Sequence, residues 1–416
     1  MRVLFLSSWY PCPPDNGSRI RVFNLIKQLS RWHEITLLSF ARSPVPEERV
    51  EEMEAYCRSV QVVPYRAFNP NRLKALLGFL SIRPRSVIDT YSREMQALVE
   101  KVCADESFDV VVASEMDAAQ YALLVDRAAR VFEDIELAVI REQSMRLRSP
   151  VSRVRSRLTW WKLSRFLPGL LRYIDGCTVV SEQERDLLAA VVPGYDLVAV
   201  VPNGVDSEAY SGDFGVPEPD SLIYSGALTY GANFDAMDFF LRDVFPLLKA
   251  QRPNASLRIT GRYDGVPVER LPLGNGVELT GYLDDIRPAV AQSRVCVVPL
   301  RVGGGTRLKI LEAMALGTPV VSTSKGAEGL EARAGEDLLV ADDPGEFTRM
   351  VVRLLSDDAL YHRVRDNGRR LVRRLYDWGT IGARLNVFLE DVSARYRVRP
   401  RRSGVIKSRP TQERAG

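Results

Sequence analysis

The sequence predicts an α/β protein built from two doubly wound parallel sheets. At 416 residues the chain is longer than a single hydrophobic core usually supports, so two domains are expected. Its first segment, Arg2–Ser8, is a near-continuous apolar run, as is typical of a strand buried on both faces of a parallel sheet. Such runs alternate with helical segments along the chain, and the pattern starts again after Gly194, which predicts two sheets of the same class.

In the first half, a loop with three prolines and Gly17 follows the first run. A helix is then predicted from apolar residues at a spacing of three, namely Ile20, Phe23, Ile26 and Leu29. The predicted strands of the first half are Arg2–Ser8, His33–Phe40, Val60–Tyr65, Phe108–Ser114, Arg130–Asp134 and Gly176–Ser181.

In the second half, six further runs are separated by helical stretches or loops. They are Leu222–Gly226, Leu257–Gly261, Val277–Gly281, Val295–Pro299, Pro319–Thr323 and Leu338–Ala341. Pro193 and Gly194 interrupt the apolar pattern between the halves. The predicted units are therefore an N-terminal domain over 1–193, a C-terminal domain over 194–376, a crossover helix over 377–396 and a basic, disordered tail over 397–416.

Composition excludes several classes of protein. Five scattered cysteines without a CxxC pair favour a reducing compartment and disfavour a zinc site. Only two histidines, His33 and His362, are available for metal binding or catalysis. No run of about 18 apolar residues occurs, so a cytoplasmic protein without a membrane span is expected.

Positive charge is concentrated in three segments. The first segment, Arg141–Arg172, holds nine lysines and arginines and one acid, Glu142. The second, Arg72–Arg85, has the same basic and apolar character, and the third is the basic tail. Leucines and tryptophans accompany the cations in Arg141–Arg172, as in helices that lie on anionic membranes. One reading is peripheral docking at the inner face of the membrane; the other is a helix pair whose apolar faces pack inward. Nucleic acid is not an expected partner, because no base-reading module accompanies the charge.

The segment Gly303–Thr323 carries the strongest chemical signal. A glycine-rich loop precedes a short helix with Arg307, Lys309 and Glu312. Glycines let main-chain N–H groups approach an anion, and a helix N-terminus favours negative charge. The segment therefore predicts a phosphate site. The alternative is an ordinary βαβ turn in which Lys309 and Glu312 form a solvated ion pair.

Several motifs in order resemble the family 4 retaining glycosyltransferases of GT-B fold. The resemblance covers nearly the whole chain, and its most specific match is KILEAMALGTPVV within a GGGTRLKILEAM-like loop. The motifs lie at Pro13–Arg19, Val201–Asp206, Tyr224–Met237, Gly281–Ile286 and Lys309–Val321.

This resemblance implies two Rossmann-like domains facing a cleft, with the C-terminal helix packing back toward the N-terminal domain. It implies a UDP- or GDP-linked sugar as donor and a saccharide or lipid-linked acceptor, with transfer of a hexose-type sugar in polysaccharide or glycoconjugate biosynthesis. Transfer would retain the anomeric configuration without metal or cofactor.

The resemblance also assigns candidate residues by their place in the motifs. Arg307 and Lys309 would stabilise the departing diphosphate, and Asp134 would lie near the reacting sugar. The loop of Asn16, Gly17 and Arg19 would face the diphosphate and the acceptor. The donor-binding candidates are Gly303, Gly304, Gly305, Thr306, Glu312, Gly226, Asn233, Tyr282 and Leu283.

The chain departs from the family pattern at two places. Gly304 stands where many relatives have the first glutamate of the motif, eight residues before Glu312. The family's N-terminal histidine has no match. Val131–Leu137 offers Asp134 and Glu136 as polar substitutes at that strand end, and the alternative is that both are solvated loop carboxylates. Two alternatives stay open: a catalytically degenerate subunit that binds donor and activates a partner, and a GT-B-like sugar-nucleotide epimerase. A dinucleotide dehydrogenase is disfavoured, because the first loop lacks GxGxxG.

Overall fold

The apolar runs of the first half form one parallel sheet. The computed structural model describes residues 1–146, 150–303 and 307–398. The strands of the first sheet are β1 Arg2–Ser7, β2 Glu34–Ala41, β3 Ser59–Pro64, β4 Val110–Ser114, β5 Ala129–Glu133, β6 Gly176–Val179 and β7 Val198–Val200. Their order is β3-β2-β1-β4-β5-β6-β7, and each neighbouring pair is parallel. The six predicted strands are thus present in a doubly wound sheet.

The seventh strand corrects the predicted domain boundary. Strand β7 lies after residue 193, yet Val198 to Val200 pair with Cys177 to Val179 of β6. It therefore belongs with the first sheet. The strand is only three residues long and follows the Pro193–Gly194 interruption, so its own sequence gives little periodicity from which to predict it.

Helices cover both faces of this sheet. Along β1, Val3 and Phe5 face one hydrophobic cluster, and Leu4 and Leu6 face another on the opposite side, as the alternation of side chains along a strand requires. The helices are α1 Gly17–Leu29, α2 Glu47–Glu54, α3 Leu73–Leu77, α4 Arg85–Asp89, α5 Arg93–Asp105, α6 Met116–Ala122, α7 Ala138–Arg146, α8 Pro150–Leu171 and α9 Glu182–Val191, with a 3₁₀ turn at Gly78–Leu80.

The second half repeats this arrangement. Its strands are β8 Glu218–Ser225, β9 Ser256–Thr260, β10 Val277–Gly281, β11 Ser293–Val298, β12 Val320–Ser322 and β13 Leu339–Val340. The parallel order is β10-β9-β8-β11-β12-β13. The order reverses between β8 and β11, as it does between β1 and β4 in the first sheet. Ligands of such sheets bind outside the carboxyl ends of the strands at these points.

The helices of the second half surround one large hydrophobic cluster. They are α10 Gly231–Phe239, α11 Phe245–Gln251, α12 Arg287–Ala291, α13 Leu308–Leu316, α14 Pro344–Ser356 and α15 Asp358–Leu371, with a 3₁₀ turn at Val268–Arg270 and π-helical turns at Phe240–Val244 and Val372–Tyr376.

The last helix, α16 Trp378–Val398, returns to the first domain. Its apolar face joins the cluster that contains Val3 and Phe5 of β1. Gly382 permits close packing, because a Cβ there would collide with the side chain of Gln28 on α1. The predicted packing of the C-terminal helix on the N-terminal domain is therefore confirmed. From residue 399 on, the predicted disordered tail lies outside the described residues.

Candidate active site between the two sheets

The carboxyl end of the second sheet holds a hydrogen-bonded cluster around Lys309, on the first turn of α13. Lys309 donates from Nζ to the Tyr224 hydroxyl at 2.8 Å and to Asn233 Oδ1 at 3.0 Å. The Tyr224 hydroxyl in turn donates to Asn233 Oδ1 at 2.7 Å. Asn233 is fixed by donation from Nδ2 to the carbonyl of Ala227 at 2.8 Å. The predicted catalytic residue Lys309 and the predicted donor-binding residue Asn233 therefore lie in contact.

Among the described residues, the hydrogen-bond partners of Lys309 are neutral and include no carboxylate. Burial lowers the pKa of Lys309 to about 7, and the nearby guanidinium of Arg307 lowers it as well. The Lys309 ammonium also lies over the Tyr224 ring, 4.0 Å from its centroid. With this pKa much of Lys309 is a neutral amine near neutral pH, and the amine can take up a proton when an anion enters and pairs with the resulting ammonium.

Arg307 directly precedes α13 and is buried. Its Nη2 donates to the main-chain carbonyls of Gly303, at 2.7 Å, and of Lys325, at 3.3 Å. Burial lowers the pKa of Arg307. Arg307 and Lys309 thus bring two cations to the start of one helix, as the sequence predicted. Their role toward a diphosphate stays a prediction.

Glu312 lies one turn further along α13. It accepts a hydrogen bond at Oε1 from the Tyr210 hydroxyl at 3.3 Å, and burial raises the pKa of its carboxyl. Among the described residues no ion pair joins Glu312 to Lys309, whose ammonium binds Tyr224 and Asn233 instead. The alternative of a solvated Lys309–Glu312 pair is therefore wrong.

Two glycines bring the main chain close to this cluster. Gly226 follows β8 with φ of 152°, and a Cβ there would lie 2.6 Å from Lys309 Nζ. Gly261 follows β9 with φ of 114°, and a Cβ there would lie 2.7 Å from the main-chain nitrogen of Ala227. Only glycine fits such backbone at this spacing. The resemblance gave Gly226; Gly261 was missed, although it also ends a strand.

The remaining donor-site candidates lie around this centre. Gly303 adopts φ of 100°, and a Cβ there would lie 3.4 Å from the Tyr230 hydroxyl. Tyr282 is 60% exposed, with the Arg262 guanidinium 5.2 Å from its ring centroid, and Leu283 is half-buried beside it. Three further candidates lie outside the described residues, namely Gly304, Gly305 and Thr306. They include Gly304, the position at which many relatives have the first motif glutamate.

The predicted loop of the first domain caps α1. Asn16 is the N-cap residue, and its Oδ1 accepts from the main-chain N–H of Arg19 at 3.2 Å. Gly17 is the first residue of the helix. Arg19 is held by Asp15, at 3.0 Å from Nη1 to Oδ1. The start of α1 therefore lies at the carboxyl end of β1, where its free N–H groups can meet an anion.

Asp134 follows β5 and takes up a strained backbone conformation, with φ of 64°. Its Oδ2 lies 3.4 Å from Nε of the fully buried Arg21, and its Oδ1 is buried without a hydrogen-bond partner among the described residues. Burial raises the pKa of Asp134 well above its usual range, although Arg21 opposes this shift. Strained conformations of this kind cluster at functional sites.

A buried ion pair supports this corner of the site. Arg21 Nε donates to Glu133 Oε1 at 2.7 Å, and its other nitrogens donate to Asn203 Oδ1 at 3.0 Å and to the Val201 carbonyl at 2.8 Å. Ser114 donates its hydroxyl to Glu133 Oε2 at 2.6 Å. The ends of β4 and β5, helix α1 and the segment after β7 are thus fixed to one another.

Sequence reasoning missed Glu115, the first residue after β4. It also has a positive φ, of 68°, and its Oε2 accepts from Trp9 Nε1 at 2.9 Å. Burial raises the pKa of Glu115 to about 7, against the opposing hydrogen bonds from Ser18 and Trp9. Glu115 and Asp134 are therefore two strained carboxyl residues at the ends of neighbouring strands. The available sequence signal was only the position of Glu115 directly after an apolar run.

The two halves meet beside the cations of α13. Lys325, whose carbonyl accepts from Arg307, forms an ion pair from Nζ to Glu142 Oε2 of α7 at 2.9 Å. A cavity of about 170 Å³ also lies between the halves, lined by Val180 to Gln183 on one side and Gly329 to Glu331 on the other. No predicted site residue lines that cavity. The predicted residues instead gather at the carboxyl ends of the two sheets.

Two family models match these two halves. The model described as "Glycosyl transferase 4-like domain" matches residues 16–204, which include β2 to β7. The model described as "Glycosyl transferases group 1" matches residues 219–357, which include β9 to β13 and α13. The chain belongs to the group 1 glycosyltransferases.

Curated relatives in this family include two mannosyltransferases. The chain is 27% identical over 251 residues to the MMP alpha-(1->4)-mannosyltransferase of Mycolicibacterium hassiacum, covering 56% of each chain. It is 30% identical over 211 residues to the phosphatidyl-myo-inositol mannosyltransferase of Mycobacterium leprae, covering 48% of this chain and 55% of that one. The chain thus spans about half the length of the curated relatives it matches.

Solved glycosyltransferase structures share the fold. Anabaena Alr3699/HepE in complex with UDP and glucose superposes with a TM-score of 0.64 at 16% identity, covering 94% of this chain and 100% of that one. Sucrose-phosphate synthase from Thermosynechococcus elongatus gives a TM-score of 0.65 at 17% identity, covering 95% and 100%. Two Rossmann-like domains in the GT-B arrangement are therefore confirmed for this chain. Within the described residues, no helix is both long and apolar enough to cross a membrane.

Proposed function

We propose that this chain transfers a hexose-type sugar, with retention of configuration, from a UDP- or GDP-linked donor to a saccharide or lipid-linked acceptor. The observation that carries the proposal is the cluster of Lys309, Tyr224, Asn233 and Gly226 at the carboxyl end of the second sheet. Family membership, the names of the two mannosyltransferases and the UDP complex of the Anabaena protein support it.

In this proposal the donor diphosphate lies over the start of α13. Arg307 and Lys309 stabilise the negative charge that develops as the sugar leaves, which is where a glycosyl transfer most needs assistance. The main-chain N–H groups of Gly303, Gly304, Gly305 and Thr306 contribute further donors. With the charge balanced by these side chains, the reaction needs no metal or cofactor.

Other residues position the two substrates. Glu312 accepts hydrogen bonds from the ribose hydroxyls, and Tyr210 orients its carboxyl. Tyr282 and Leu283 lie beside the base. The loop of Asn16, Gly17 and Arg19 approaches the diphosphate from the first domain.

Asp134 lies next to the reacting sugar. The leaving phosphate itself takes the acceptor's proton on the same face of the sugar, so a second carboxylate on the opposite face is not required. Enzymes of this kind serve polysaccharide or glycoconjugate synthesis, here in the cytoplasm at the inner face of the membrane.

Calorimetry with a panel of UDP- and GDP-sugars tests donor binding. The wild-type protein should bind one donor, and Glu312→Ala and Lys309→Ala should weaken that binding at least about tenfold, whereas Lys101→Ala on the exposed face of α5 should not. Failure of every nucleotide sugar to bind would refute the proposal. Binding without transfer or donor hydrolysis would favour the degenerate subunit, for which the missing motif glutamate at Gly304 is the specific observation. A product with inverted anomeric configuration by NMR would refute retention.

A further inference from the structure

A ridge of exposed apolar side chains projects from the first domain between β3 and α4. We define the ridge as Leu73, Leu76, Leu77, Phe79, Leu80 and Ile82, which are exposed to between 47% and 90%. Leu80, at 90%, and Leu73, at 72%, are the most exposed. Six large apolar side chains within ten residues are far more than the isolated exposed leucines of an ordinary surface.

Hydrogen bonds from Arg85 and Lys162 to main-chain carbonyls fix the backbone of the ridge segment. Arg85 donates from Nε to the Ala75 carbonyl at 2.7 Å and from Nη2 to the Pro70 carbonyl at 2.7 Å, and its guanidinium lies 3.9 Å from the centroid of Phe79. Lys162 of α8 is buried and donates to the Gly78 carbonyl at 2.7 Å. Two segments that are far apart in sequence therefore form one surface.

The structure separates the inward and outward faces of α8. Leu163 and Leu167 are buried in the cluster that contains Phe132 and Cys177, so much of the apolar pattern of this helix packs inward, as the second sequence reading expected. Trp161 points the other way and is 47% exposed, with the Arg165 guanidinium 5.5 Å from its centroid. Trp161 directly precedes Lys162, whose ammonium contacts the Gly78 carbonyl, so this outward face begins where α8 meets the ridge segment.

The charges around the ridge select its partner. Residues 66–92 contain five lysines and arginines and one acid, Asp89, which is buried and paired with Arg72. Lys74 and Arg83 are exposed beside the ridge, and α8 contains no acid. Apolar tips flanked by cations suit a surface with an anionic outer layer and a hydrocarbon interior.

We infer that the ridge, together with the Trp161 face of α8, docks this glycosyltransferase on an anionic lipid bilayer, with the ridge tips inserted below the headgroups. The two ends of the segment that carries the ridge are held to α6, on the candidate acceptor side. The Tyr65 hydroxyl donates to Asp117 Oδ2 at 2.9 Å, and the Thr90 hydroxyl donates to Asp117 Oδ1 at 3.3 Å. Asp117 lies two residues after Glu115. Docking therefore holds the carboxyl end of the first sheet at the bilayer, where a lipid-linked acceptor resides; this last step rests on the proposed function.

Vesicle flotation of the full chain tests docking without requiring any enzymatic activity. The protein should float with phosphatidylcholine vesicles that contain phosphatidylglycerol and bind those of phosphatidylcholine alone at least about tenfold more weakly at low salt. Leu73→Ser with Leu80→Ser should weaken binding at least about tenfold, and Lys74→Glu with Arg83→Glu should do the same. Val216→Ser with Val387→Ser, which alters two exposed valines elsewhere (83% and 65% exposed), should leave binding unchanged.

Two flotation results would overturn the inference: no flotation with anionic vesicles, or an equal loss of vesicle binding in the valine control. A dimer in sedimentation velocity that Leu73→Ser with Leu80→Ser converts to monomer would also overturn it, because the ridge would then bind a second copy of the chain. Donor binding by calorimetry should be the same in the ridge variants and the wild type. Loss of flotation with intact donor binding would therefore separate failure of docking from failure of the proposed function.

Discussion

Donor binding should be accompanied by uptake of a proton at Lys309. In the free protein, burial holds the pKa of this ammonium at about 7. A diphosphate placed against it would supply the opposite charge that its present partners, Tyr224 and Asn233, do not. The pKa should then return toward its ordinary value of about 10.4.

The size of the effect follows from that shift. At pH 8 about nine tenths of Lys309 is neutral in the free protein, so binding should take up about 0.9 proton. Because the competent, protonated fraction falls from about one half at pH 7 to about one hundredth at pH 9, affinity should fall about fiftyfold over that range. The sign is fixed: binding is strongest below pH 7 and weakens as the pH rises.

Calorimetry at pH 8 in two buffers of different ionisation enthalpy measures the uptake directly. A nucleotide sugar is the proper ligand, since a free nucleotide carries a terminal phosphate that titrates at about pH 6. Lys309→Gln should abolish the uptake and weaken binding, whereas Lys101→Gln should change neither. Wild-type binding with less than about 0.2 proton taken up would refute the reasoning, and so would uptake that disappears in Glu312→Gln but persists in Lys309→Gln.

Three other substitutions test the surroundings of the site. Glu115, whose pKa is raised to about 7, favours its neutral form in the folded state, so its contribution to stability should decline as the pH rises from about 5 to 8. In urea unfolding at pH 8, Glu115→Gln should stabilise the protein by about 1–3 kcal/mol and remove this decline. An unchanged pH dependence of stability would contradict the assignment. Gly226→Ala should weaken donor binding at least about tenfold, because its Cβ would displace the lysine ammonium, while Gly265→Ala, which has a positive φ but open space around it, should affect stability alone. Arg21→Met should destabilise the fold by about 3–5 kcal/mol, because it leaves the Glu133 carboxylate buried and unpaired. The double variant Arg21→Met with Glu133→Leu should recover much of that loss. If the single and double variants were equally stable, a buried unpaired charge would not be the cause.

Strand and helix order were predictable because they depend on neighbours in sequence. Twelve apolar runs matched the strands to within a few residues, and the crossover helix was expected over 377–396 and observed over Trp378–Val398. The exception was β7, which has three residues and is fixed by pairing with β6 rather than by its own pattern. Periodicity also could not divide α8, where Leu163 is buried and Trp161 is exposed.

Site chemistry was less accessible to sequence reasoning than the motifs suggested. The cations of α13 were identified from their place after a glycine loop, but the partners of Lys309 lie 76 and 85 residues away along the chain. Glu115 belongs to no motif, and its raised pKa is a property of burial and of its contact with Trp9. No pattern in one sequence reports such environments.

The sequence by itself determined the two-sheet architecture and the family, because apolar alternation, strand-ending glycines and ordered motifs are local signals. Tertiary structure alone decided which charges are buried and which apolar residues face outward. Arg21 meets Glu133 across 112 residues, and Lys162 meets Gly78 across 84. Burial and long-range pairing arise only when the strands assemble, and they set the charge state of the candidate site and the position of the exposed ridge.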